Sequence, residues 1–157
     1  MKLKKYEEKR NFTKTPEPKP KDMKLGKKSE GLVYVIQRHE ASHLHFDLRL
    51  EEDGALKSWA IPKTPPLKDG VKRLAVQTED HPLGYEDFEG VIPKGEYGAG
   101  KVDLWDKGDY LPLEVDSSKR VMDIRGEKLK GRYCLIKLKA KDEEDKNWLF
   151  FMIKNKK

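Results

Sequence analysis

From Leu32 onward the chain is a succession of short apolar stretches closed off by Gly, Asp or Lys-rich turns, and none of them carries a long 3.6-residue period with helix caps. "LVYVIQRH", "ALKSWAIP", "VKRLAVQT", "KVDLWD", "VMDIRG", "GRYCLIKLKAK" and "NWLFFMIKN" are rich in β-branched and aromatic residues. "HFDLRLE" alternates strictly, with Phe46, Leu48 and Leu50 on one face and His45, Asp47, Arg49 and Glu51 on the other. "EDG" at 52–54 reads as a turn. Short strands at close spacing predict an all-β fold, a small antiparallel barrel or sandwich. At 157 residues there is material for one domain with a real core, and 14 aromatics argue against a disordered chain.

Charge is unevenly placed. Residues 1–30 carry eleven Lys/Arg and five Asp/Glu, whereas residues 31–157 carry 23 of each, so the whole net charge of +6 belongs to the N-terminal arm. Residues 13–30, with three prolines and six lysines, predict an extended, mobile segment. The expected division is a basic arm, residues 1–28, and a barrel, residues 29–157. A basic arm on a neutral body suits a polyanion such as nucleic acid, and equally serves as a solubilising tail. No apolar run reaches the ~20 residues of a membrane span, and no signal-peptide core precedes the body. A single cysteine, Cys134, in an apolar strand completes the expectation of a cytoplasmic protein without internal disulfides.

Three of the four histidines fall within "HEASHLH", residues 39–45. His45, Asp47 and Arg49 share a face. His39 has the same parity, but six residues of straight strand would carry it roughly 20 Å from His45. It joins the cluster if "EASHL", residues 40–44, is a hairpin loop, which sets His39 opposite His45 and leaves His43 exposed at the tip. Two imidazoles and a carboxylate converging there form a first coordination shell suited to Mn, Zn, Fe or Co, with Arg49 beside it matched to phosphate oxygens. The plainer alternative is a strand with a solvated polar face. His81, at a strand end in "TEDHPLG", is a candidate third ligand, general acid or phosphate donor, and equally a structural histidine. Lys63 and Arg73 are cations near strand ends, each by itself ordinary surface. The glycine-dense "IPKGEYGAGKV" lacks the Gly-Lys-Ser/Thr ending of a phosphate-binding loop and reads as a structural turn.

Taken in order, "QRHEASHLHFDLRLE", "LKSWAIPK", "KRLAVQTEDHPLGYEDFEGVIPKGEYGAG", "LWDKG" and "GEKLKGRY" resemble the 3′-phosphoesterase domain of bacterial DNA ligase D and its stand-alone bacterial and archaeal relatives. "KRNFTKTPEP" resembles that family's N-terminal segment, and the likeness runs from about Tyr6 nearly to the C-terminus. The resemblance implies a small β-barrel with a substrate groove and a divalent metal, typically Mn2+, with Zn2+ or Co2+ as substitutes. It implies DNA repair by non-homologous end joining, on primer–template 3′ ends terminated by a ribonucleotide or a phosphate, beside a separately encoded DNA ligase and polymerase. Removal of the 3′-terminal ribonucleoside would be followed by removal of the 3′-phosphate.

By position, the resemblance makes His39, His45 and Asp47 metal ligands and Arg49 and His81 contacts of the scissile phosphate. It gives Gln37, Lys63, Arg73 and Tyr85 supporting roles in the reaction, and makes Arg10 and Glu17 functional positions of the arm. One departure is visible: Arg10 is followed by Asn11 where the family pattern has Arg-Asp, which bears on the ratio of the two activities. Two other readings compete. An iron oxygenase would use "HFD" and a distal His81, although no Arg follows His81 until Arg120. A non-catalytic nucleic-acid-binding barrel would use the basic arm and surface aromatics and needs no metal cluster.

Overall fold

The computed structural model describes residues 3–18, 31–139 and 146–153. Nine strands follow a short helix α1 (Lys4–Glu8): β1 (Leu32–Glu40), β2 (Leu44–Glu52), β3 (Ala55–Ile61), β4 (Lys72–Pro82), β5 (Gly90–Ile92), β6 (Gly100–Asp116), β7 (Lys119–Arg125), β8 (Lys130–Lys137) and β9 (Asn147–Met152). Strands pair antiparallel in the order β1-β2-β3-β4-β9-β8-β7-β6, and β6 returns to β1, so eight strands close into a barrel without a free edge; β5 adds to the start of β6. The barrel form of the expected all-β fold is therefore the one adopted. Among the described residues no helix is long and apolar enough to cross a membrane.

Alternation explains the closure. Phe46, Leu48 and Leu50 of β2 point inward and join Tyr34, Ile36, Trp59, Ile61, Tyr133, Leu135, Trp148 and Phe150 in one buried core. The β2–β3 turn runs through Asp53 and Gly54, both at positive φ (52° and 81°), the geometry a tight two-residue hairpin requires. Several strands exceed the stretches read from sequence. β6 runs 17 residues because its first half pairs with β1 and its second with β7, the handover falling at Asp109–Tyr110 and a register shift within the β7 pairing between Pro112 and Glu114.

The outer face of β1–β4 is not bare. Tyr6 of α1, Leu56 of β3 and Tyr85 form a second apolar cluster, joined by Phe12, Val33, Leu83 and Phe88. The described part of the arm is thus packed on the barrel rather than free, which corrects the expectation of mobility for residues 13–18: Thr15 and Glu17 are buried, and the Tyr6 hydroxyl donates to the Pro18 carbonyl at 2.5 Å. Pro and Lys content predicted an unattached chain, but the anchoring comes from Tyr6, Phe12 and the buried charge of Glu17. Residues 19–30, the rest of the predicted mobile segment, lie outside the described residues.

Candidate active site

The β1–β2 hairpin sets the register. His39 lies opposite His45, Gln37 opposite Asp47 and Val35 opposite Arg49, all facing outward beneath the arm. Each imidazole is oriented by a backbone carbonyl. His39 Nε2 is 2.7 Å from the Gly98 oxygen, which can only accept, so Nε2 carries hydrogen and Nδ1 turns inward. His45 Nδ1 is 3.2 Å from the His43 carbonyl, which turns Nε2 inward. The two inward nitrogens are 3.2 Å apart, and Asp47 completes the group with Oδ2 at 3.6 Å from His39 and Oδ1 at 3.3 Å from His45.

That arrangement fits a cation. With both outer N–H groups spent on carbonyls, the facing nitrogens share no hydrogen unless one ring is protonated. One ligand atom from each of His39, His45 and Asp47 lies within 4.8 Å of the others. Two nitrogens and a carboxylate, each with an ordering partner behind it, are a donor set for a divalent transition metal. The electrostatics agree. Burial alone would raise the Asp47 pKa, but the adjoining His39 and His45 rings and the charge of Arg49 hold it far below the usual carboxylate range. Burial would lower His45, and the neighbouring Asp47 outweighs it and raises the ring above its ordinary value.

Beside this cluster sits a second, built around two guanidinium groups. Arg49 is buried; its Nε donates to Gln37 Oε1 at 2.7 Å, Nη1 donates to Ser58 Oγ at 2.9 Å, and Nη2 lies 3.5 Å from Asp47 Oδ2. Gln37 is fixed in turn by donating to the Tyr85 and Phe88 carbonyls at 2.7 and 3.1 Å, so it aims Arg49 rather than lining the cavity. Arg10 comes from the arm. Its Nε bonds Glu17 at 2.9 Å, its guanidinium stacks on Tyr6 at 4.0 Å, and Nη2 donates to His81 Nε2 at 3.2 Å. Glu17 also accepts from the Tyr85 hydroxyl at 2.5 Å and from Thr15 at 2.9 Å.

His81 reaches this spot through a bulge: Leu56 faces His81 while Ser58 faces Thr78, so β4 carries one extra residue there. Its Nδ1 donates to the Glu79 carbonyl at 3.0 Å. A guanidinium can only donate, so Nε2 holds a lone pair. Burial and the charges of Arg49 and Arg10 push the His81 pKa well below its ordinary value, and the ring is neutral. Of the roles the sequence left open for His81, that of a third ligand has no place here, since His81 stands outside the His39–His45–Asp47 cluster. An oxygenase's distal ligand is therefore not in place.

A cavity of about 320 Å3 joins the two clusters and is lined by Arg10, His39, His45, Asp47, Arg49 and His81 among others. Lys63 and Arg73 lie outside that lining: Lys63 is exposed, and Arg73 Nε donates to the Thr64 carbonyl at 2.7 Å. Asn11 is exposed and outside it too, its Oδ1 accepting from the Thr13 amide and hydroxyl at 3.1 and 2.6 Å. His43 is exposed in the β1–β2 loop, as read. Sequence reasoning missed Ser58, which joins Arg49 to the His81 neighbourhood, and Glu79, which meets Lys9 at 3.1 Å and Arg10 at 3.5 Å. Ser58 could have been found from its parity within β3. Glu79 could not, because the bulge that turns it inward has no local signal.

A closed barrel whose outer wall gathers two imidazoles, a carboxylate and two buried guanidinium groups defines a small-barrel class with a polar cavity on its side. The chain belongs to the DNA ligase D 3′-phosphoesterase domain family, whose profile matches residues 37–137. It is 48% identical over 98% of its length to the multifunctional non-homologous end joining protein LigD of Pseudomonas aeruginosa, and 45% identical over 99% to that of Mycolicibacterium smegmatis. The LigD of Mycobacterium tuberculosis is 42% identical over 99% of the chain. The chain spans about a fifth of these relatives, 18%, 21% and 20% of their respective lengths.

Proposed function

We propose that this chain is a divalent-metal-dependent phosphoesterase that heals DNA 3′ ends, releasing a 3′-terminal ribonucleoside to leave a 3′-phosphate and then releasing that phosphate to leave a 3′-OH. The observation that carries the reading is the meeting, in one cavity, of the His39–His45–Asp47 donor set with the guanidinium of Arg49. Manganese is our choice of metal, with zinc or cobalt as substitutes; bound there, it would draw charge from the phosphoryl oxygens as a Lewis acid.

The remaining chemistry falls to the chain's own groups. Arg49, braced by Gln37 and Ser58, binds the scissile phosphate, and Arg10 adds a second guanidinium from the arm. His81, uncharged, holds Arg10 in place through Nε2 and gives the site an acceptor rather than a further positive charge. Glu17 and Tyr85 keep Arg10 docked, so the arm is part of the active site. Lys63 and Arg73 act on the approaching strand outside the cavity. The arm, residues 1–28, adds counterion-releasing charge to DNA binding. In the manner of the multidomain relatives, the product end would pass to a ligase and a polymerase.

The test uses two labelled primer–templates, one ending in a ribonucleotide and one in a 3′-phosphate, incubated with manganese beside a His45→Ala control. Stepwise conversion to a 3′-OH, absent in the control, is expected. Tight DNA binding with no product in any divalent metal would hand the site to the non-catalytic binding barrel instead.

A further inference from the structure

The cavity wall contains two tyrosines in different states. Tyr85 is buried, its hydroxyl committed to Glu17 and its ring set under Arg49 at 4.8 Å. Tyr97 lines the same cavity but remains 46% exposed, an aromatic left at the mouth. It is not loosely held. The segment 93–99 is folded by two successive tight turns, with Glu96 N donating to the Pro93 carbonyl and Ala99 N to the Glu96 carbonyl, both at 3.1 Å. Gly98, at φ +75°, gives its carbonyl to His39 at 2.7 Å, so the residue next to Tyr97 is tied to a metal-site imidazole. The Lys9 ammonium lies 4.6 Å from the Tyr97 ring centre and 3.3 Å from its hydroxyl, and Arg10 stands 5.3 Å from the ring. A half-exposed ring is thereby fixed in register with the site that would hold the scissile phosphate.

We propose that Tyr97 is the stacking platform for the 3′-terminal nucleoside, and so a specificity-determining residue for ribonucleoside release. The inference rests on the end-healing reading and deepens it. The first of the two reactions carries a nucleoside on the far side of the scissile phosphate, and the second does not. A flat aromatic surface one residue from the His39 anchor is placed to hold that group, whatever its base, because every base offers a π-face. Arg49, the His39–His45–Asp47 cluster and His81 serve both reactions, and Tyr97 favours the first.

The experiment compares Tyr97→Ala and Tyr97→Phe with the wild type on the ribonucleotide-ended and phosphate-ended primer–templates. Stacking on an aromatic is worth a factor of roughly 5 to 150 per base, so Tyr97→Ala should lower the ratio of ribonucleoside release to phosphate release about tenfold or more. Tyr97→Phe, which keeps the ring and loses the hydroxyl, should hold the wild-type ratio. In parallel, a primer ending in a 2-aminopurine ribonucleoside should be quenched on binding by wild type and Tyr97→Phe, and not by Tyr97→Ala. An unchanged ratio in Tyr97→Ala, or quenching that survives the loss of the ring, would overturn the proposal. So would a Tyr97→Phe variant as impaired as Tyr97→Ala, because the Lys9 contact would then be the active element. Wild-type protein that releases neither product would defeat the end-healing reading itself, and the platform with it.

Discussion

The two faces of β2 are built from adjacent residues and held by different forces. Inward, Phe46, Leu48 and Leu50 are buried in the barrel core and need only fill space. Outward, Asp47 and Arg49 are almost as buried, at 7% and 4% exposure, yet both are charged. Burying charge is costly unless each group is paired and hydrogen-bonded, and here each is: Asp47 by two imidazoles, Arg49 by Gln37, Ser58 and Asp47. The inner face is a product of local alternation. The outer face becomes an interior only because α1, residues 9–18 and the segment after β4 cover it. A strand whose polar side is sealed by distant parts of its own chain is the mark of a site rather than of a scaffold.

The largest separation between the faces should come from Asp47→Asn. The change keeps shape and removes the carboxylate charge, and metal-dependent hydrolysis should fall by about 10³-fold while the barrel still melts cooperatively. A rate within threefold of wild type, measured on the 3′-phosphate substrate, would sink the ligand assignment. Next is Glu17→Ala, which strips Arg10 of the nearer of its two buried carboxylates, Glu79 being the other, at a cost of roughly 3 kcal/mol. The arm should then undock, so limited trypsin should cut at Lys9 or Arg10 far faster while the barrel fragment stays intact. Unaltered cleavage would mean the arm is held by its apolar contacts alone. Leu48→Ala tests the other face, with a stability loss of about 2–5 kcal/mol in a urea titration and little change in rate per folded molecule.

The smallest effect is in pH. The folded pKa of His81 lies below that of the unfolded chain, so His81 favours folding at pH above about 6.5 and withdraws that support as pH falls toward its folded value. His45 runs the opposite way in metal-free protein: its raised pKa adds stability below about 6.5 that is lost as pH rises through the folded value. Melting curves of His81→Gln should therefore lose less stability than wild type on going from pH 7 to pH 5. Parallel curves for the two proteins would show that His81 is not held neutral.

How much of this could be read beforehand follows the range of the contacts. The hairpin that sets His39 against His45 spans six residues, and parity with one turn was enough to place it. Phe46, Leu48 and Leu50 declared the core face in the same way. Gln37, Arg10, Glu17 and Tyr85 had no local signal and entered only through family resemblance, because their roles depend on contacts such as Arg10 to His81, 71 residues away, and Tyr85 to Glu17, 68 away. Lys63 and Arg73, which lie outside the cavity lining, show the limit of such local reading. A cation near a strand end says nothing about where the departing loop carries it. The strand β5 and the second half of β6 also escaped notice, since exposed Leu111, Leu113 and Val115 break the inward alternation that marks a strand.

In the function proposed above, the polar face of the β1–β2 hairpin holds one divalent ion on which hydrolysis of a DNA 3′-phosphate depends. The direct measurement is phosphate release by chelator-stripped protein as manganese is added back, with bound ion counted in the same samples. No release without metal, full recovery at one ion per chain and no recovery in Asp47→Asn are expected. Full activity in the stripped protein, or equal recovery in the variant, would contradict that reading.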